Sequence, residues 1–155
     1  MIREGKVQDI PQIVHVVHDS IRSCVMDHQR EETRIQTWLE AFTHSTLIVE
    51  MLYNDCWVYT VHDRVVGFLM VSDQGEIRMH YVSSGMQRMG YGTQLFYYML
   101  DFMTPKKIDR LEIETTRTAL PYYTKLGFQN TSPHMQDEPA LHLFKALSSS
   151  TYPQF

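Results

Sequence analysis

Between Ile77 and Thr115 the chain reads as strand, glycine-rich turn, helix and strand, and that order constrains the fold more than any other part of the sequence. Ile77, Met79, Tyr81 and Val82 form an apolar, strand-like run ending in Ser83-Ser84-Gly85. The chain then passes Gln87-Arg88-Met89-Gly90-Tyr91-Gly92 and enters a helix, with Leu95, Phe96, Met99 and Met103 at helical spacing on its buried face. Pro105 stops that helix. Arg110-Leu111-Glu112-Ile113-Glu114-Thr115 alternates apolar and polar and reads as a half-buried strand. A strand that follows such a helix is most simply parallel to the strand before it. The turn itself presents unpaired backbone N–H groups to one point, where the helix dipole adds about half a positive charge. It suits a phosphate or pyrophosphate.

Two familiar phosphate loops fit poorly. Gly85 and Gly90 have the P-loop spacing, but Tyr91 and Gly92 replace its Lys and its Ser or Thr. The dinucleotide fingerprint needs a third glycine where Leu95 sits. Gln87-x-x-Gly90-x-Gly92, five residues after Val82, instead resembles the pyrophosphate motif of the GNAT superfamily, the acyl-CoA-dependent N-acyltransferases. Ala119-Leu120-Pro121-Tyr122-Tyr123-Thr124-Lys125-Leu126-Gly127-Phe128 resembles that family's later signature of an Ala, an aromatic pair and Gly-Phe. The resemblance covers Cys56 to Phe128 well and the remainder loosely. A glycine pair that merely turns the chain would explain the first motif but not the second.

The resemblance implies an α/β (α+β) fold with a GNAT-like central twisted sheet. That sheet is mixed, mostly antiparallel and flanked by helices. Its two parallel central strands splay apart and admit the pantetheine arm of acetyl-CoA. At 155 residues the chain suits one domain, expected over 1–147, followed by a tail at 148–155. Apolar content of 43% and charged content of 21% are ordinary for a globular protein. The net charge of -4 argues against nucleic acid as the main partner, because phosphate contacts come from clustered Lys and Arg, and only Lys106-Lys107 is paired near the motifs. Cys24 and Cys56 make neither a disulfide framework nor a Cys-x-x-Cys metal site. No signal-peptide core and no run of ~20 apolar residues is present, so a cytoplasmic protein without membrane partners is expected.

Met1 to Lys6 reads as a first strand. Asp9 is placed to cap a helix with Pro11 in its first turn, and Ile10, Ile13, Val14, Val17, Ile21 and Cys24 line its buried face. His15, Asp19 and Arg22 fall on the other face. His15 and His18 have metal-ligand spacing but no Cys or carboxylate cluster completes a site, so no metal is expected. Asp27 to Glu32 turns the chain, and Ile35, Trp38, Leu39 and Phe42 mark a second amphipathic helix. Leu47 to Tyr53 is too short to assign by period, and the resemblance favours helix. Strands follow at Trp57–Val61, Val65–Val71 and Glu76–Val82, with turns at Asp63-Arg64 and Asp73-Gln74-Gly75. Thr118 to Leu126 reads as a short helix. Phe128–Thr131 and Ala140–Leu147 close an antiparallel pair around a loop at Ser132–Pro139.

Acyl transfer to an amine needs a held donor, a base and an acid. An alkyl ammonium has a pKa near ~10.4, so a base is useful at neutral pH. The resemblance places the donor against Tyr81, Val82 and the loop Gln87, Arg88, Met89, Gly90, Tyr91, Gly92 and Thr93. Thr116 stands where the family often has an Asn that touches the cofactor. Tyr123 corresponds to the family's acid, with Tyr122 as the packed member of the pair. Glu76 matches the offset of the glutamate base in some lysine-acetylating members. Alternation along the strand puts Glu76, Arg78 and His80 on one face, with His80 nearer the splay and a second base candidate. Trp38 and Arg78 are candidate acceptor contacts, with Trp38 equally suited to the core.

These residues imply an N-acetyltransferase that moves an acetyl group from acetyl-CoA to a primary amine of a small molecule or peptide, with a homodimer as a further expectation from the family. The alternative from another class is a non-catalytic acyl-CoA-binding module, which would bind the donor but release no CoA when an amine is added. The acidic balance leans toward a cationic acceptor.

Overall fold

The computed structural model describes residues 1–24, 29–130 and 141–147. The loop expected at Ser132–Pro139, the strand ends at Thr131 and Ala140, residues 27–28 of the polar turn and the tail at 148–155 lie outside the described residues. The elements run β1 (Ile2–Glu4), α1 (Ile10–Arg22), α2 (Glu32–Glu40), α3 (His44–Tyr53), β2 (Asp55–Val61), β3 (Arg64–Val71), β4 (Glu76–Val82), α4 (Tyr91–Met103), β5 (Arg110–Thr115), α5 (Leu120–Lys125), β6 (Gln129–Asn130) and β7 (Leu141–Ala146). The described strands form one sheet in the order β1-β2-β3-β4-β5-β7-β6. Its only parallel pair is β4 with β5, and all other neighbours are antiparallel.

Two apolar clusters cover the two faces. Leu95, Phe96, Met99 and Met103 of α4 meet Leu69, Val71, Ile77, Leu111 and Ile113 on one side. Ile10, Ile13, Val17 and Ile21 of α1, with Ile35, Leu39 and Leu47, meet Val58, Phe68 and Met70 on the other. Strand β3 is covered on both faces, so every residue from Val65 to Val71 is buried and the run is continuously apolar. Strand β5 is covered on one face only, which is why Leu111 and Ile113 are buried while Glu112 and Glu114 are exposed.

Several expectations need correction. Val16 rather than Val14 lies fully in the α1 core, Val14 being only partly buried. Asp9 stands at the N-cap of α1, but its carboxylate makes no cap bond there. It accepts from Arg3 Nη1 and Nη2 and from the Lys6 N–H, all at 2.8 Å, and so ties the first strand to the turn before α1. The first hairpin turns at His62-Asp63, both with positive φ, one residue earlier than Asp63-Arg64. The short run ending at Tyr53 is helical, and Thr43 caps it by accepting the Thr46 N–H at 3.3 Å.

The correction with most bearing on function is in β4. Met70 pairs with Met79 and Val71 with Ile77, so Arg78 is an extra residue, a β-bulge. Ile77 accordingly joins the α4 cluster while Met79, two residues on, joins the α1 cluster. Beyond the bulge His80 pairs with Leu69 and faces α4, whereas Tyr81 pairs with Phe68 and faces α1. Glu76, Arg78 and His80 therefore do not share a face.

Candidate active site

The parallel strands β4 and β5 pair only through Glu76 with Glu112 and Ile77 with Ile113. Past Ile77 they part, and β4 continues to Val82 with no strand partner on that edge among the described residues. The widening gap opens toward the glycine-rich loop. There Met86 N–H bonds Ser83 O at 2.9 Å, and the next backbone N–H engaged is that of Gln94, on Gly90 O at 2.9 Å. No described group accepts from the backbone N–H groups of Gln87 through Thr93. Arg88 and Gly90 have φ of 68° and 83°, with Met89 between them at negative φ. Alternating handedness turns successive N–H groups toward one centre and makes an anion-binding concavity, which the N-terminus of α4 reinforces.

The side chains explain the loop's shape. Gln87 Nε2 donates to Val82 O at 3.1 Å, so Gln87 closes the loop on itself instead of reaching outward. Arg88 and Met89 are exposed. Tyr91 stacks on Tyr59 with ring centroids 4.3 Å apart, and Tyr59 Oη bonds Gln94 at 3.2 Å. A Cβ on Gly92 would sit 3.2 Å from Val82 Cγ2 and 3.5 Å from His80 Nε2, so glycine lets α4 start directly against β4. Thr116 Oγ1 accepts the Ala119 N–H at 3.1 Å and anchors the turn into α5.

At the floor of the gap, His80, Tyr122 and Tyr123 meet. Tyr123 Oη lies 2.8 Å from His80 Nδ1, and His80 Nε2 lies 2.8 Å from the Gly92 carbonyl oxygen. A carbonyl oxygen only accepts, so Nε2 carries the proton of the neutral ring and Nδ1 accepts the Tyr123 O–H. Burial pulls His80 down to about 4, against the opposing effect of the Gly92 bond, so the ring is neutral at pH 7. Burial, with Tyr122 and Tyr81 adding to it, raises Tyr123 well above the usual phenol value. Tyr123 is 3% exposed and is the packed member of the aromatic pair. Tyr122 is partly exposed, with its hydroxyl 2.9 Å from Thr93 Oγ1 in the first turn of α4. Burial raises its hydroxyl too, and the Thr93 bond opposes that shift. The expected roles of packed and open tyrosine are thus exchanged. Two adjacent helical residues point about 100° apart, and only the docking of α5 decides which faces inward.

Residues 24–143 match the family model described as an acetyltransferase (GNAT) domain. The chain belongs to the GNAT acetyltransferase family. No curated protein sequence matches it. Among solved structures it is similar to the PaiA N-acetyltransferase of Thermoplasma acidophilum in complex with coenzyme A, at TM-score 0.83 and 16% identity, covering 95% of this chain and 98% of that one. A GCN5-related N-acetyltransferase of Rhodopseudomonas palustris superposes with TM-score 0.81 at 18% identity, covering 95% of each chain. The ribosomal-protein-S18-alanine N-acetyltransferase of Escherichia coli gives 0.69 at 16% identity, covering 96% of this chain and 94% of that one. At these identities the likeness shows the GNAT fold, with its mixed sheet and its parallel β4–β5 pair.

On the opposite face of the GNAT sheet, Trp38 and Phe42 pack with Tyr81 against the α1 cluster. Burial pushes the Tyr81 hydroxyl up, with Cys24 adding to the shift and the neighbouring Trp38 opposing it. Arg78 Nε binds Glu50 Oε2 at 2.9 Å, and Arg78 Nη1 lies 3.4 Å from Glu76 Oε1. These three, with Tyr53, Asn54, Ser72, Asp73 and Gln74, line a cleft of about 410 Å³. Sequence reasoning missed Asp19, whose carboxylate accepts the Ser84 N–H at 2.6 Å and ties α1 to the start of the glycine-rich loop. It also missed Glu50. Both act on residues far away in the chain, and neither carries a local signal. His18 bonds the Phe42 carbonyl through Nε2 at 2.7 Å, and no group of metal-ligating side chains occurs among the described residues. No described helix is long and apolar enough to cross a membrane.

Proposed function

We propose that this GNAT protein transfers an acetyl group from acetyl-CoA to a primary amine of a small molecule or peptide. The carrying observation is the row of unpartnered N–H groups from Gln87 through Thr93, opening into a gap floored by Tyr123. This row fits a pyrophosphate, and the coenzyme A complex of the similar PaiA enzyme supports that donor. Acetyl-CoA supplies a thioester carbonyl open to attack and a thiolate as leaving group. The loop N–H groups bind the donor's phosphates, and the unpaired edge of β4 aligns its arm. Tyr123 Oη is the acid that gives a proton to the departing sulfur. Glu76, exposed beside Arg78 on the face away from α4, is the base for the incoming ammonium, directly or through water. Glu112 on the uncovered face of β5 is paired with Arg110 at 2.7 Å, and Glu114 beyond it favours an acceptor that arrives positively charged.

Calorimetric titration tests the donor site. Acetyl-CoA is expected to bind in the micromolar range while ATP and NAD do not. A folded sample that ignores acetyl-CoA would overturn the assignment. Thiol release on adding amines then separates an enzyme from a binding module. Once an acceptor is found, Glu76→Gln should depress the rate at neutral pH by about tenfold or more, with partial recovery at high pH where free amine is abundant. An unaltered pH profile would remove Glu76 from the role.

A further inference from the structure

His80 is half-buried at the centre of the site yet faces away from Glu76 and from the aromatics around Trp38. Its two ring nitrogens are both engaged, each by a group that belongs to the donor side. Nε2–H is held by the Gly92 carbonyl, in the first turn of the helix that carries the donor loop. Nδ1 takes the Tyr123 hydroxyl. The Gly92 carbonyl admits only one neutral tautomer, because the other would set two acceptors against each other. The ring has no free nitrogen with which to take a proton from an amine.

We propose that His80 is a positioning residue for Tyr123: it parks the phenolic proton on a neutral acceptor at the point where β4 and β5 part. This rests on the acid role given to Tyr123 above. A buried phenol needs a partner for its O–H, because an unsatisfied one forfeits its hydration with nothing in return. The choice of partner matters for turnover. A carboxylate in this place would hold the proton in a charge-assisted bond roughly twice as strong as a neutral one. The neutral imidazole holds it loosely, so an anionic sulfur arriving in the gap becomes the stronger acceptor and the O–H swings to it. The geometry also links the acid to the start of α4 through one ring, whose two nitrogens are held by Gly92 O and Tyr123 Oη.

Two substitutions separate the two bonds. In His80→Asn the amide oxygen falls near the Nδ1 position and keeps the Tyr123 contact, while the Gly92 contact is lost. In His80→Gln the amide nitrogen reaches the Nε2 position and keeps Gly92, while the Tyr123 contact is lost. Expected are a kcat within about threefold of wild type for His80→Asn and a fall of about tenfold for His80→Gln, with the KM for acetyl-CoA little changed in both. Combined with Tyr123→Phe, His80→Gln should cause no further loss. Equal effects of the two substitutions, or an additive loss in the double variant, would overturn the proposal. If instead Tyr123→Phe alone leaves kcat unchanged, the acid assignment itself has failed, and the His80 proposal falls with it. Thermal melting of each variant identifies any that lose activity by unfolding.

Discussion

Tyr123→Phe is expected to lower kcat at least about tenfold while the KM for acetyl-CoA stays nearly constant. The change removes one oxygen and keeps the ring that packs edge-on against Phe128 at 5.6 Å and Tyr122 at 5.1 Å. The N–H groups proposed to hold the donor's phosphates belong to another segment, so affinity for acetyl-CoA should survive. His80 Nδ1 loses its donor, which costs about 1 kcal/mol or somewhat more in stability. That loss lowers the melting temperature but does not explain a tenfold effect on a folded enzyme. Tyr122→Phe is the control. It breaks only the bond to Thr93 and should cost less. If Tyr122→Phe is the variant that loses turnover while Tyr123→Phe does not, the acid is the more open tyrosine.

A second large effect is expected on stability. His80 is held at about 4 in the folded protein, against 6.5 for an ordinary histidine. The folded state therefore binds fewer protons than the unfolded chain between these values. Stability is full above pH 6.5 and drains away as pH falls toward 4, by up to about 3 kcal/mol from this one ring. Urea unfolding of wild type and His80→Asn at pH 7, 5.5 and 4.5 measures it. The wild-type curve should drop more steeply, since Asn does not titrate. Parallel curves would mean that the ring takes up protons freely in the folded state. Asp9, lowered by its hydrogen bonds from Arg3, adds a loss of the same sign at lower pH, common to both proteins.

The sequence made much of this legible because periodicity records how many faces of an element are covered. Strand β5 alternates and was readable to its last residue, since one of its faces is open. The turn between β4 and α4 was readable because glycine spacing is how a sequence writes backbone conformation. Face assignment in β4 was not readable. Alternation holds only while the register holds, and the extra residue at Arg78 has no local signature. The same holds for side-chain pairs distant in sequence. Asp19 looks like a solvated helix residue until Ser84 is brought beside it, and Glu50 does until Arg78 is. The tyrosine pair marks the limit in another way, because the motif names both residues and leaves their directions to the packing of α5.

The bulge at Arg78 makes β4 count residues. Upstream of it, even-numbered side chains look toward α1; downstream, even-numbered ones look toward α4. Deleting Arg78 would remove the bulge and leave Val71 opposite Ile77, Met70 opposite Met79 and Leu69 opposite His80, so each of these side chains would keep its face. The extra residue adds a second position on the Glu76 side, which Arg78 fills with its ion pair to Glu50. A chain without it would keep the gap and its floor and lose that pair.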